Sequence, residues 1–180
     1  NDGNRDDEIN YSHVLPRRLS AEQLLDSVHE VTGVPTKFNG YPVGLRAGQI
    51  PGVEAVRPRD RRGAGDDQFL VQFGKPPRLL TTECERTAET SMSQAFQLIS
   101  GPRINDLLTE SHNRLTVWIE SGRPNVQFLE DLYWTALTRA PNDLELRQTL
   151  SHVERAKDRR AGLEDVCWAL LNAKEFVLRK

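Results

Sequence analysis

Apolar positions recur at three- and four-residue spacing through most of this chain, and residues that start or stop helices bracket each run. Ser20 with Gln23 three positions on forms a capping box, and Leu24, Leu25, Val28 and Val31 follow on one face until Gly33 and Pro35. The segment Asp67 to Gly74 reads as a short helix stopped by Gly74, Pro76 and Pro77, although a strand would also fit. Thr90 or Ser91 caps a helix with Met92, Ala95, Phe96 and Ile99 on one face, closed by Gly101 and Pro102. Ile104, Leu107 and Leu108 form a further short helix, and Leu115, Trp118 and Ile119 define another that ends at Gly122 and Pro124. Asn125 caps the strongest helix, striped by Val126, Leu129, Leu132, Tyr133, Ala136 and Leu137 and broken by Pro141. Asn142 with Glu145 restarts the chain as a helix bearing Leu146, Leu150 and Val153. After Arg159 to Gly162 the last helix presents Leu163, Val166, Cys167, Leu170, Leu171 and Phe176.

No segment sustains the period-two alternation of a half-buried strand, so the expected fold is mainly α, with a helical bundle of short connections in the C-terminal half. The N-terminal half is different. Residues 33–66 carry seven of the 12 glycines and four of the 10 prolines with no apolar period, which predicts a long irregular loop. Loops of that length inside a domain are uncommon and often functional. Residues 1–12 read as a polar lead or linker and residues 13–180 as a single helical domain. The start lacks Met and any targeting pattern, so the expectation is a piece of a longer protein.

Composition changes this picture little. The 180 residues are 37% hydrophobic and 28% charged, with 24 Lys+Arg against 26 Asp+Glu, ordinary for a folded chain and unlike a strongly basic nucleic-acid binder. No apolar run approaches the ~20 residues of a membrane helix.

Many chemistries are excluded by missing motifs. There is no Walker loop, no dinucleotide fingerprint, no HExxH among His13, His29, His112 and His152, and no CxxCH, so no cofactor is expected in this segment. Cys84 and Cys167 lie 83 positions apart, too sparse for a zinc framework; Cys167, in an apolar run, is expected to be a buried thiol. The densest polar constellation is Glu83, Cys84, Glu85 and Arg86. Extended, it sends the two carboxylates to one face and Cys84 with Arg86 to the other. That could be a cation site or an acid/base pair; the preferred reading is a polar clamp fixing the loop to the helices. The basic runs Arg57 to Arg62 and Arg155 to Arg160 are read as solvated charge, His29 as a boundary residue, and Trp118, Trp134 and Trp168 as core or interface.

Several strings, in order along the chain, resemble the domain-of-unknown-function family numbered 1553. They are Leu15 to Asp26, Val31 to Gly33, Gly40 to Gly44, Phe73 to Arg78, Cys84-Glu85-Arg86, Gln94 to Gly101, Ile104-Asn105, Leu132 to Pro141 and Glu164 to Phe176. The resemblance implies the C-terminal part of a large planctomycete-type bacterial protein in an extracytoplasmic setting. It further implies other domains of the same chain as partners, often a c-type cytochrome domain, so haem c belongs to those domains and not to this segment. Where the family has Cys-Glu-Cys-Glu-Arg, Thr82 stands at the first Cys here, which removes a paired-thiolate site and leaves Glu85 with Arg86.

Three functional expectations follow. The preferred one is a non-catalytic docking or interaction module, which predicts an apolar patch left exposed on the isolated chain. The second is a polysaccharide- or cation-binding domain using the loop, the tryptophans or the Glu83/Glu85 pair. The third is part of an oxidoreductase or polysaccharide-processing enzyme completed by an upstream domain.

Overall fold

Ser20 sets the first helix. Its hydroxyl accepts from the Gln23 N–H while the Gln23 side chain accepts from the Ser20 N–H, and α1 runs Ala21–Thr32. Gly33 closes α1 in the left-handed conformation, and a Cβ there would sit 3.1 Å from that of Arg114, so this stop favours glycine twice over. The structure, a computed structural model, describes residues 17–50, 65–75 and 92–179.

Seven further helices of two turns or so and more follow, namely α2 (Gly65–Gln72), α3 (Met92–Ser100), α4 (Pro102–Thr109), α5 (Arg114–Glu120), α6 (Asn125–Leu137), α7 (Asp143–Arg155) and α8 (Arg159–Leu171). A single turn, α9 (Lys174–Val177), and a 3-10 turn at Ala47–Gln49 complete the helical content among the described residues. The mainly-α expectation holds. The only β pairing among the described residues joins β1 (Arg17–Arg18) to β2 (Leu178–Arg179), antiparallel, with Arg17 opposite Arg179 and Arg18 opposite Leu178.

The core is built on α1. Leu24, Leu25 and Val28 are fully buried and join Leu70 of α2, Ile104 and Leu107 of α4, Leu129 and Leu132 of α6, and Leu163 and Leu171 of α8 in one apolar cluster. No helix among the described residues is long and apolar enough to cross a membrane.

Several local expectations change. The short helix expected from Asp67 forms but begins at Gly65, inside the expected loop. Asn125 does not cap α6; Pro124 holds the cap position, and the Asn125 side chain instead accepts from Arg159 Nε at 2.8 Å. Phe128 is buried on α6 where the stripe omitted it, whereas Val126 is partly exposed. The helix also stops at Leu137, before Pro141, with Thr138 left-handed. Arg159 to Gly162 is the first turn of α8, capped by Asp158, and Phe176 belongs to the separate turn α9. Gly162 has a steric reason to be there: a Cβ would lie 2.8 Å from Val153 Cα, so α7 and α8 touch backbone to backbone.

Candidate functional site

The irregular segment 34–50 is held in place by charged side chains that are turned inward. Asp66, in the first turn of α2, is fully buried. Its Oδ2 accepts from the Lys37 N–H at 2.7 Å, and its Oδ1 meets His29 Nε2 at 2.9 Å and Arg103 Nε at 2.6 Å. Next to it, Asp67 Oδ2 accepts from the Asn39 N–H at 3.0 Å. His29 bonds back to the same segment, its Nδ1 lying 2.7 Å from the Val34 carbonyl. Both ring nitrogens of this buried imidazole therefore face oxygen. His29 is a core tether, not the boundary residue its sequence position suggested.

The far end of the segment is held the same way. Asp26 of α1 accepts from the N–H groups of Ala47 and Gly48 at 2.7 and 3.2 Å, satisfying donors at the start of the 3-10 turn. Lys75, just past α2, donates to the Ala47 and Ile50 carbonyls at 2.8 and 3.0 Å and lies 3.7 Å from Glu22. Thr36 Oγ1 donates to the Leu45 carbonyl at 2.6 Å, closing the segment on itself. Buried polar groups must be paired to be tolerated, and here their partners are loop backbone. The loop is shaped by its scaffold.

Electrostatics follow from this geometry. Burial pushes the Asp66 carboxyl up, but the His29 hydrogen bond, the charges of His29 and Arg103, and the Lys37 N–H outweigh it and hold the group below the ordinary aspartate value. Burial pushes the Cys167 thiol up to about 12, so this free cysteine stays protonated at neutral pH and packs as the expected apolar thiol. Beneath the loop lies a cleft of about 280 Å³ lined by Asp26, His29, Thr36, Arg46 and Arg114 among others.

Beside this scaffold, α3 packs Leu98 against the core. Polar contacts also hold it: Gln94 accepts from Arg18 and donates to the Gln72 carbonyl at 3.0 Å, and the Ile99 carbonyl accepts from Trp168 Nε1 at 3.1 Å. Its apolar stripe faces outward, with Met92 76%, Phe96 62% and Ile99 54% exposed. The spacing i, i+4, i+7 places these three on one face.

Glu83, Cys84, Glu85 and Arg86 lie outside the described residues, as does the basic run Arg57 to Arg62. The second basic run is not simple solvated charge. Arg159 donates to Asn125 and the Arg123 carbonyl, and Arg160 bridges Glu164, Thr116 and the Glu110 carbonyl, so both tie helices together. Among the tryptophans, Trp118 and Trp168 pack against the core and Trp134 is 57% exposed. Among the described residues no group of three His, Cys, Asp or Glu side chains is placed to hold a metal ion. Asp66, Asp67 and Lys75 were missed by sequence reasoning: two acids opening a helix and a lysine between glycine and proline look like surface charge. A comparison of the chain with protein-family models, curated proteins and solved structures finds no match.

Proposed function

We propose that this chain is a non-catalytic helical docking module of a larger extracytoplasmic bacterial protein, related to the family numbered 1553. It packs against another domain of the same polypeptide, with a c-type cytochrome domain as one such neighbour. The observation that carries the reading is the outward stripe Met92, Phe96 and Ile99 on a helix anchored from behind by Gln94 and Trp168. A rigidly backed apolar face suits an interface, because ordering costs are met before the partner arrives. The inward use of Asp26, Asp66, Asp67 and Lys75 fits the same reading, since these groups shape a loop instead of facing a substrate.

The test mixes this chain with the separately expressed remainder of its parent polypeptide and follows co-elution on size exclusion. Co-elution that Phe96→Asp abolishes, with the fold intact by circular dichroism, is the expected result. Failure to co-elute, or co-elution indifferent to Phe96→Asp, would overturn the docking reading.

A further inference from the structure

A second concavity lies where α2, α3 and α4 meet, about 300 Å³ in volume, at the lower end of the range for small-ligand sites. Three carboxamides, Gln68 and Gln72 from α2 and Gln97 from α3, line it together with Asp106 of α4. None of these four side chains makes a hydrogen bond or ion pair with another described residue. Arg103, Pro102 and the nearly buried Phe69 also line it. The stripe of Met92, Phe96 and Ile99 takes no part in it.

The chemistry of these groups selects a class of ligand. A carboxamide presents a donor and an acceptor side by side, the pattern that neighbouring hydroxyls on a sugar ring satisfy. Arg103 contributes direction: Asp66 holds its Nε and Nη2 edge at 2.6 and 2.5 Å, which fixes its remaining Nη1 donors. The Asp106 carboxylate, which pairs with no described residue, is an acceptor for hydroxyl protons and opposes sulfate, phosphate and carboxylate. A single carboxylate is also too few oxygen ligands for a divalent cation. The volume admits a sugar unit but no long polymer segment within it.

We propose that this groove binds one neutral sugar residue of a glycan, with Gln68, Gln72, Gln97 and Asp106 hydrogen-bonding its hydroxyls and Arg103 supplying a fixed donor. The site is independent of docking through α3, and either reading can fail without the other. The test is a titration of the ¹⁵N-labelled chain with D-glucose, D-galactose, D-mannose, D-xylose and N-acetylglucosamine, and separately with sodium sulfate and acetyl-Ala-Ala-amide. Saturable shifts of the Gln68, Gln72 and Gln97 side-chain amides with at least one sugar are expected, weakened tenfold or more in Gln72→Leu with Asp106→Asn. Gln68→Ala, at an exposed position, provides a variant that keeps the fold if the double variant does not, and it should weaken the same sugar at least threefold. No saturable response to any sugar, an affinity unchanged in these variants, or a response to sulfate or the dipeptide amide alone would overturn the proposal.

Discussion

At the scale of single residues, Asp66 decides more than any other side chain described. It is fully buried yet serves three partners on three parts of the chain: His29 of α1, Arg103 of α4 and the Lys37 N–H of the loop. Removing one member of such a group strands the others, which in buried ion pairs costs about 3–5 kcal/mol. Asp66→Ala should lose about that much in urea unfolding at pH 7, whereas Asp66→Asn keeps an acceptor and should lose less. The pH dependence has a defined sign. The folded carboxyl sits below its unfolded value, so its contribution is complete above about pH 5 and drains as pH falls toward and through the folded value. Stability measured from pH 6 to pH 3 should fall steeply in the parent chain and less steeply in Asp66→Asn; equal slopes would remove Asp66 from the account.

At the scale of elements, caps and close contacts carry the stability. Asn142 accepts from the Leu144 and Glu145 N–H groups while Glu145 accepts from the Asn142 N–H and also pairs with Arg139. That arginine's hydrogen bonds draw the Glu145 carboxyl down to about 2. Asn142→Ala should cost about 1 kcal/mol in thermal or denaturant unfolding, the usual value of an N-cap. Gly162→Val should cost about 1–3 kcal/mol by forcing α7 from α8, since the new side chain meets Val153 and Ala156 closer than van der Waals contact allows.

These elements also show what was legible. The capping boxes at Ser20 and Asn142 are local patterns and stand where the sequence puts them. The helical face of Met92, Phe96 and Ile99 was equally legible, but periodicity gives a face and not its direction. That it points outward depends on Gln94 finding Arg18 and Gln72 far away in sequence. The loop network was illegible for the same reason: Asp66 to His29 spans 37 positions, and nothing local distinguishes an acid that will be buried from one that will be solvated. Asn113 is a comparable case, a buried residue whose side chain caps α5 and bonds the closing carbonyls of α4.

For the whole molecule, the described surface divides its labour. One side has a core-backed loop whose backbone is held by the inward charges of Asp66 and Lys75; the neighbouring α3 offers an apolar stripe that nothing described covers. Docking of that stripe against another domain is the central claim, and Met92 is a natural reporter, being the only methionine of the sequence and 76% exposed. Thioether oxidation by dilute peroxide tracks exposure. The decisive measurement is the rate of Met92 sulfoxide formation in the isolated chain and in the larger parent polypeptide proposed above. The account predicts fast oxidation in the isolated chain and at least tenfold slower oxidation in the parent; equal rates would contradict it and leave α3 without a partner.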